Sequence, residues 1–234
     1  MTEHTHKQFD TEMESIRSGV LTMGGLVETQ MSRAINLLES HDEQGLLAQV
    51  IADEQAINRL QVDMDQQCSQ IIAKRQPTAI DLRMVLTVTK IVNDLERVGD
   101  ETKKVAKKAS QAAQNQRLSQ VRCFDVARAA ERARDMLQLA LDAFARLDVN
   151  AAAEVIDLDD EIDAAFSAIL RQLISYMMED PRTITPALEI VFIAKSIERI
   201  GDHAKNIAED VIYIVKGTDV RHTAVDVVER EALG

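Results

Sequence analysis

The stretch Asp94-Leu95-Glu96-Arg97-Val98-Gly99-Asp100 decides the fold, because its core returns 102 residues later as Glu198-Arg199-Ile200-Gly201-Asp202. The apolar positions around the two copies align at the same offset. Around the first, Val88, Ile91, Leu95, Val98, Thr102 and Val105 recur in steps of three and four. Around the second, Ile190, Ile193, Ile197, Ile200, Ala204, Ile207, Val211 and Ile214 do the same. Such spacing puts one apolar seam on one face of a helix, so both segments are helices packed against other helices.

Working outward, Val50-Ile51, Glu54 and Ile57-Asn58 match Val155-Ile156, Asp159 and Ile162-Asp163 at an offset of 105, and Met31 matches Met136. The loops around Pro77 and Pro181 absorb the change of offset. Self-similarity in fixed register means an internal duplication. The strong breakers are Pro77, Pro181, Pro186 and Gly217, with softer breaks at 40–45, 111–120 and 146–150. They predict six long helices at 9–40, 43–74, 79–113, 118–147, 150–179 and 186–216. The expected architecture is all-α: two tandem three-helix bundles, covering residues 1–113 with a short flexible start and 114–217, followed by a tail at 218–234.

Composition agrees. Eight Gly, three Pro, 3% aromatic residues and no Trp among 234 residues argue against sandwiches and barrels. With 46% hydrophobic residues the chain has enough apolar side chains for a large core. A net charge of −12 disfavours nucleic acid as a partner. No apolar run approaches the roughly 18 residues that span a bilayer, and the opening MTEHTHKQFDTEMES lacks a signal pattern, so the cytoplasm is the expected location.

Four places carry an acid followed four residues later by an acid or amide: Glu54 and Asn58, Glu96 and Asp100, Asp159 and Asp163, Glu198 and Asp202. Each pair shares a helix face, and Glu96 with Asp100 and Glu198 with Asp202 fall away from the seams and are expected to reach solvent. Stacked like charges cost a helix a few tenths of a kcal/mol, so their recurrence in both halves calls for a reason. One is a cation held by oxygen ligands, which suit Mg²⁺, Mn²⁺ or Ca²⁺, and also iron. The other is surface acids paired with Arg97, Arg199 or nearby lysines.

The remaining reactive residue types read as structural. His203 adjoins Asp202 and is expected to be a solvated helix histidine, and His4, His6, His41 and His222 have no ligand spacing. Cys68 falls in an apolar helical pattern and forms no C-x-x-C pair with Cys123. Lys103, Lys104, Lys107 and Lys108 read as the solvated end of a helix. Gly24-Gly25 reads as a close helix approach or a kink, since no phosphate-loop pattern follows. An enzyme would need an activated nucleophile or inward Glu-x-x-His pairs, and only Glu3 to His6 has that spacing, in the polar start. No enzymatic activity is therefore expected; the alternative kept open is a metal-dependent carboxylate bundle or a metal-homeostasis protein.

Six stretches together carry a resemblance: SIRSGVLTMGGLVE (15–28), IIAKRQPTAIDLRMV (71–85), DLERVGDETKKVA (94–106), DAFARLD (142–148), RQLISYMMEDPRTI (171–184) and SIERIGDHAKNIAEDVIYIVKGTDVRH (196–222). In order and over nearly the whole chain, they resemble the PhoU family of the phosphate-specific transport system. The resemblance implies two three-helix bundles bearing E/D-x-x-x-D motifs that bind divalent metal ions (Mg, Mn, Fe or Zn). The positions implied are Glu54, Asn58, Glu96 and Asp100 in the first half and Asp159, Asp163, Glu198 and Asp202 in the second. Asn58 departs from the family pattern. The function implied is negative regulation of the phosphate-starvation response and of phosphate uptake. Its implied partners are the ATPase subunit of the phosphate importer, a sensor histidine kinase and a second copy of the chain, with the membrane reached only through partners.

Overall fold

The computed structural model describes residues 2–39, 45–113 and 124–221. Six helices order the chain: α1 (Thr2–Glu39), α2 (Leu46–Arg75), α3 (Ala79–Ala113), α4 (Phe124–Arg146), α5 (Val149–Glu179) and α6 (Ile184–Lys216). A single 3₁₀ turn, Pro181–Thr183, joins α5 to α6. Every position of the two seams is buried, as the periodicity predicts.

The helix ends follow local chemistry. Asp148 caps α5 by accepting hydrogen bonds from the backbone N–H groups of Asn150 and Ala151, each 3.1 Å long. Gly217 closes α6 at φ 79°, a conformation that suits glycine. Two ends differ from expectation. The polar start is helical from Thr2, continuous with a helix that Phe9 and Met13 anchor by packing on the core. α6 begins two residues before Pro186, since a proline in the first turn removes an N–H that has no partner there. Residues 118–123, and the tail from 222 onward, lie outside the described residues, while Val220 just before them is buried.

α1, α2 and α3 pack on one another, as do α4, α5 and α6. The two bundles are joined through α1 with α4 and, most extensively, through α3 with α6. The result is a layer of four helices in the order α2, α3, α6, α5, backed by α1 and α4. Gly24 makes the α1–α4 approach possible, for a Cβ there would lie 2.6 Å from Leu141 Cδ1; Gly25 faces open space.

α3 and α6 run antiparallel, tied by Lys108 to Glu189 (2.6 Å), Arg199 to Glu101 (3.2 Å), His203 to Asp94 (2.8 Å) and Lys90 to Asp210 (3.5 Å). The interface is pseudo-twofold. The offset of 102 carries Asp94 and His203 onto Ser196 and Glu101, which are both buried. Burial opposes ionisation of Glu101, yet hydrogen bonds from Lys104 and Arg199 hold its carboxyl below the ordinary value. Asp210 is the opposite case: burial pushes it up to about 6, with Asp94 adding to the shift and Lys90 and Arg221 opposing it.

Two predictions follow from these contacts. Gly24→Val overpacks the α1–α4 junction and lowers unfolding free energy by about 1–3 kcal/mol. Gly25→Ala raises it by roughly 0.5–1 kcal/mol, both read by urea denaturation. Asp210 has a raised folded pKa, so its stabilising contribution is complete below the unfolded pKa and is lost as pH rises through about 6. Asp210→Asn escapes that loss, and its stability relative to the parent therefore rises by about 2 kcal/mol between roughly pH 4 and pH 7.5. A pH-independent difference in urea unfolding would refute the assignment.

Candidate metal centres

The glycine of each E-R-x-G-D motif sits where a neighbouring helix comes closest. A Cβ on Gly99 would lie 3.2 Å from Ile57 of α2 and 3.3 Å from the amide oxygen of the buried Gln30 of α1. A Cβ on Gly201 would lie 3.2 Å from Ile162 of α5 and 3.6 Å from Asp159. Ile57 and Ile162 are themselves equivalent at the offset of 105. The missing side chain lets α2 and α5 approach, and thereby sets the carboxylates of α2 beside those of α3 and the carboxylates of α5 beside those of α6.

The first groove holds Glu54 and Asn58 of α2 with Glu96 and Asp100 of α3, all half-buried. Lys103 Nζ lies between two of the acids, donating to Glu54 (2.6 Å) and to Asp100 (2.9 Å). Asn58 Nδ2 donates to Glu54 at 2.9 Å, which leaves Asn58 Oδ1 buried and without a hydrogen-bond partner. Burial, followed by the charge of Asp100, raises the Glu96 carboxyl above its ordinary value.

The second groove holds Asp159 and Asp163 of α5 with Glu198 and Asp202 of α6. Asp159 is buried and takes a 2.8 Å hydrogen bond from Lys205, while Glu198 is half-buried and takes one of 2.5 Å from Lys195. Asp163 and Asp202 are exposed, and among the described residues neither pairs directly with a cation. Both carboxyls are raised, first by desolvation and then by the other acids of the groove. Each expected site residue is thus in the groove of its own half. Of the four expected to reach solvent, Asp202 is exposed, whereas Glu96, Asp100 and Glu198 are half-buried because neighbouring helices wall them in.

The bare donor set is all oxygen and suits a hard divalent cation, and the orphaned Asn58 oxygen is a further donor without a partner. Among the described residues, however, no three acidic, His or Cys side chains converge into a ready-made ligand set. Lysines hold the carboxylates instead. Lys103 and Lys205 were absent from the expected site, Lys103 having been assigned to a solvated helix end. The signal was present, for each lies three residues after the motif aspartate, making E-R-x-G-D-x-x-K in both halves.

Two other lysines of that end are engaged as well. Lys104 pairs with Glu101 (2.8 Å), and Lys108 pairs with Glu189 while lying 4.7 Å over the Phe192 ring. Lys107 is exposed. His203 is neither solvated nor a groove ligand: its ring is half-buried between α6 and α3 and faces Asp94, which Asn206 also reaches at 3.2 Å. Cys68 is a buried core residue whose thiol is pushed up to about 11 by burial and then by Asp65. Cys123 lies outside the described residues. No helix among them is long and apolar enough to cross a membrane.

Known proteins share this architecture. The PhoU domain profile matches residues 20–109 and again 126–211, one match per three-helix half. The chain is 45% identical over 231 residues to the phosphate-specific transport system accessory protein PhoU homolog of Pseudomonas aeruginosa, covering 99% of this chain and 95% of that protein. It is 41% identical over 234 residues to the accessory protein PhoU of Escherichia coli strain K12, covering 100% and 96%. The crystal structure of PhoU from Pseudomonas aeruginosa superposes with a TM-score of 0.86 over 90% of this chain and 100% of that one, at 45% identity. The phosphate transport system regulatory protein PhoU from Streptococcus pneumoniae, 27% identical, gives 0.81 over 91% and 99%. These names are those of accessory and regulatory proteins, not of enzymes, and with a profile match in each half and full-length relatives this chain belongs to the PhoU family.

Proposed function

We propose that this chain is the negative regulator of the phosphate-starvation response and of phosphate uptake in its host. In this reading it couples the ATPase subunit of the phosphate importer to a membrane sensor histidine kinase, working in the cytoplasm as a homodimer recruited to the inner membrane by its partners. The observation that carries the reading is end-to-end similarity to accessory proteins of phosphate-specific transport, with both repeats retained.

The same reading makes each groove a divalent-cation site. Glu54, Asn58, Glu96 and Asp100 would hold the ion in the first half, and Asp159, Asp163, Glu198 and Asp202 in the second. A bound cation neutralises like charges that otherwise repel and ties each outer helix to its inner neighbour. The raised carboxyls of Glu96, Asp163 and Asp202 support it, since acids raised by burial and by one another are the groups a cation relieves. The amide at Asn58 removes one charge from the first groove, which makes it the weaker of the two.

Deleting the gene from its native host is expected to give high alkaline phosphatase activity in phosphate-rich medium, restored to repression by the intact gene. Unchanged repression overturns the regulatory reading. Calorimetry with Mn²⁺ tests the grooves separately. Glu198→Ala with Asp202→Ala is expected to abolish binding in the second half and leave the first, whereas an unchanged stoichiometry removes those residues from the assignment.

A further inference from the structure

Lys103 and Lys205 occupy equivalent places in the two halves, and each makes the equivalent contact. Lys103 Nζ is 2.6 Å from Glu54, and Lys205 Nζ is 2.8 Å from Asp159. Glu54 and Asp159 are the counterparts of one another at the offset of 105. Both contacts bridge an outer helix to an inner one. Each ammonium therefore does between α2 and α3, or between α5 and α6, what a bound cation would do there.

We infer that Lys103 and Lys205 are resident counter-cations, each standing in the metal-free protein where a divalent ion otherwise binds, and withdrawing when the ion arrives. The inference rests on the reading of the two grooves as metal sites. It explains why eight suitably spaced residues do not converge into a ready-made ligand set: the lysines hold oxygens that the ion would use.

Withdrawal is sterically open. The Lys103 side chain is 21% exposed and that of Lys205 32%, and a lysine's four-carbon stem can carry its ammonium from the groove to water while staying packed. Charge balance gives the ion its opportunity. In the first groove Lys103, together with Arg97 at 3.6 Å from Glu96, faces three carboxylates. In the second, Lys195 and Lys205 face four, and Asp163 and Asp202 have no direct cation partner among the described residues. An ammonium neutralises one charge and a divalent ion two, so exchange is favoured once the ion has shed enough water. Lys104 marks the specificity of the arrangement: one residue beyond Lys103, it pairs with Glu101 on the α6 side of α3.

The test uses full-length protein, Mn²⁺ calorimetry and thermal melts of the metal-free form. Lys103→Gln and Lys205→Gln are each expected to bind Mn²⁺ roughly tenfold more tightly in their own half, as expected when a competing unit charge is removed. Their metal-free melting temperatures are expected to fall and to recover when Mn²⁺ is added. A merely structural lysine would not produce that opposition, because its loss would weaken fold and binding together. Lys103→Arg keeps the charge and is expected to bind no more tightly than the parent, and Lys104→Gln is expected to stay within about twofold. Parent-like or weaker binding by both Gln variants overturns the inference while leaving the metal sites standing. Absence of Mn²⁺ binding from parent and variants alike overturns both.

Discussion

The antiparallel contact of α3 with α6 is the constraint on which the rest of the molecule depends. Each is the inner helix of its own bundle, and each contributes the E-R-x-G-D motif. Their seams are buried, and each helix packs on its two bundle neighbours as well as on the other inner helix. On the shared flank the side chains are polar yet confined, as Asp94, Glu101, Ser196 and Asp210 show. A buried charge is costly unless it is matched: Lys104 and Arg199 both reach one oxygen of Glu101, whereas burial outweighs Lys90 at Asp210. Polar pairs of this kind contribute register more than adhesion, because sliding one helix along the other separates all of them at once.

The two grooves inherit their placement from that register. Because the halves are related by a pseudo-twofold through the α3–α6 contact, each carboxylate groove lies between an inner helix and its own outer helix. The glycine of each motif then controls how closely the outer helix approaches, and the lysine three residues after the motif aspartate controls the charge. A single local sequence, used twice, therefore specifies helix spacing, acid placement and counter-charge together.

Much of this was legible in the sequence, for physical reasons. A seam such as Val88-Ile91-Leu95-Val98 records which face is buried, and the fixed offsets record the duplication. Proline and glycine record where helices stop. The same periodicity is silent about which neighbour a face will meet. His203 looked solvated because nothing local reveals that Asp94 lies opposite it, 109 positions away in the chain. Lys103 looked like a helix end for the same reason, since Glu54 is 49 positions upstream. The early start of α1 was missed because polarity alone was read as irregularity, although Phe9 and Met13 supply the contacts that keep it helical.

The separation in sequence of the α3–α6 partners also bears on how the chain is made. Their contacts join residues 81 to 120 positions apart, so on the ribosome α3 waits for α6 through roughly 4–24 s of synthesis at about 5–20 residues per second. In that interval α1, α2 and α3 can already close their own core. The flank left uncovered carries Lys90, Asp94, Glu101 and Lys108, which water solvates well. The duplication thus leaves a nascent first half whose α3 flank is polar while it waits, and whose α1 face at Gly24 is covered only when α4 arrives.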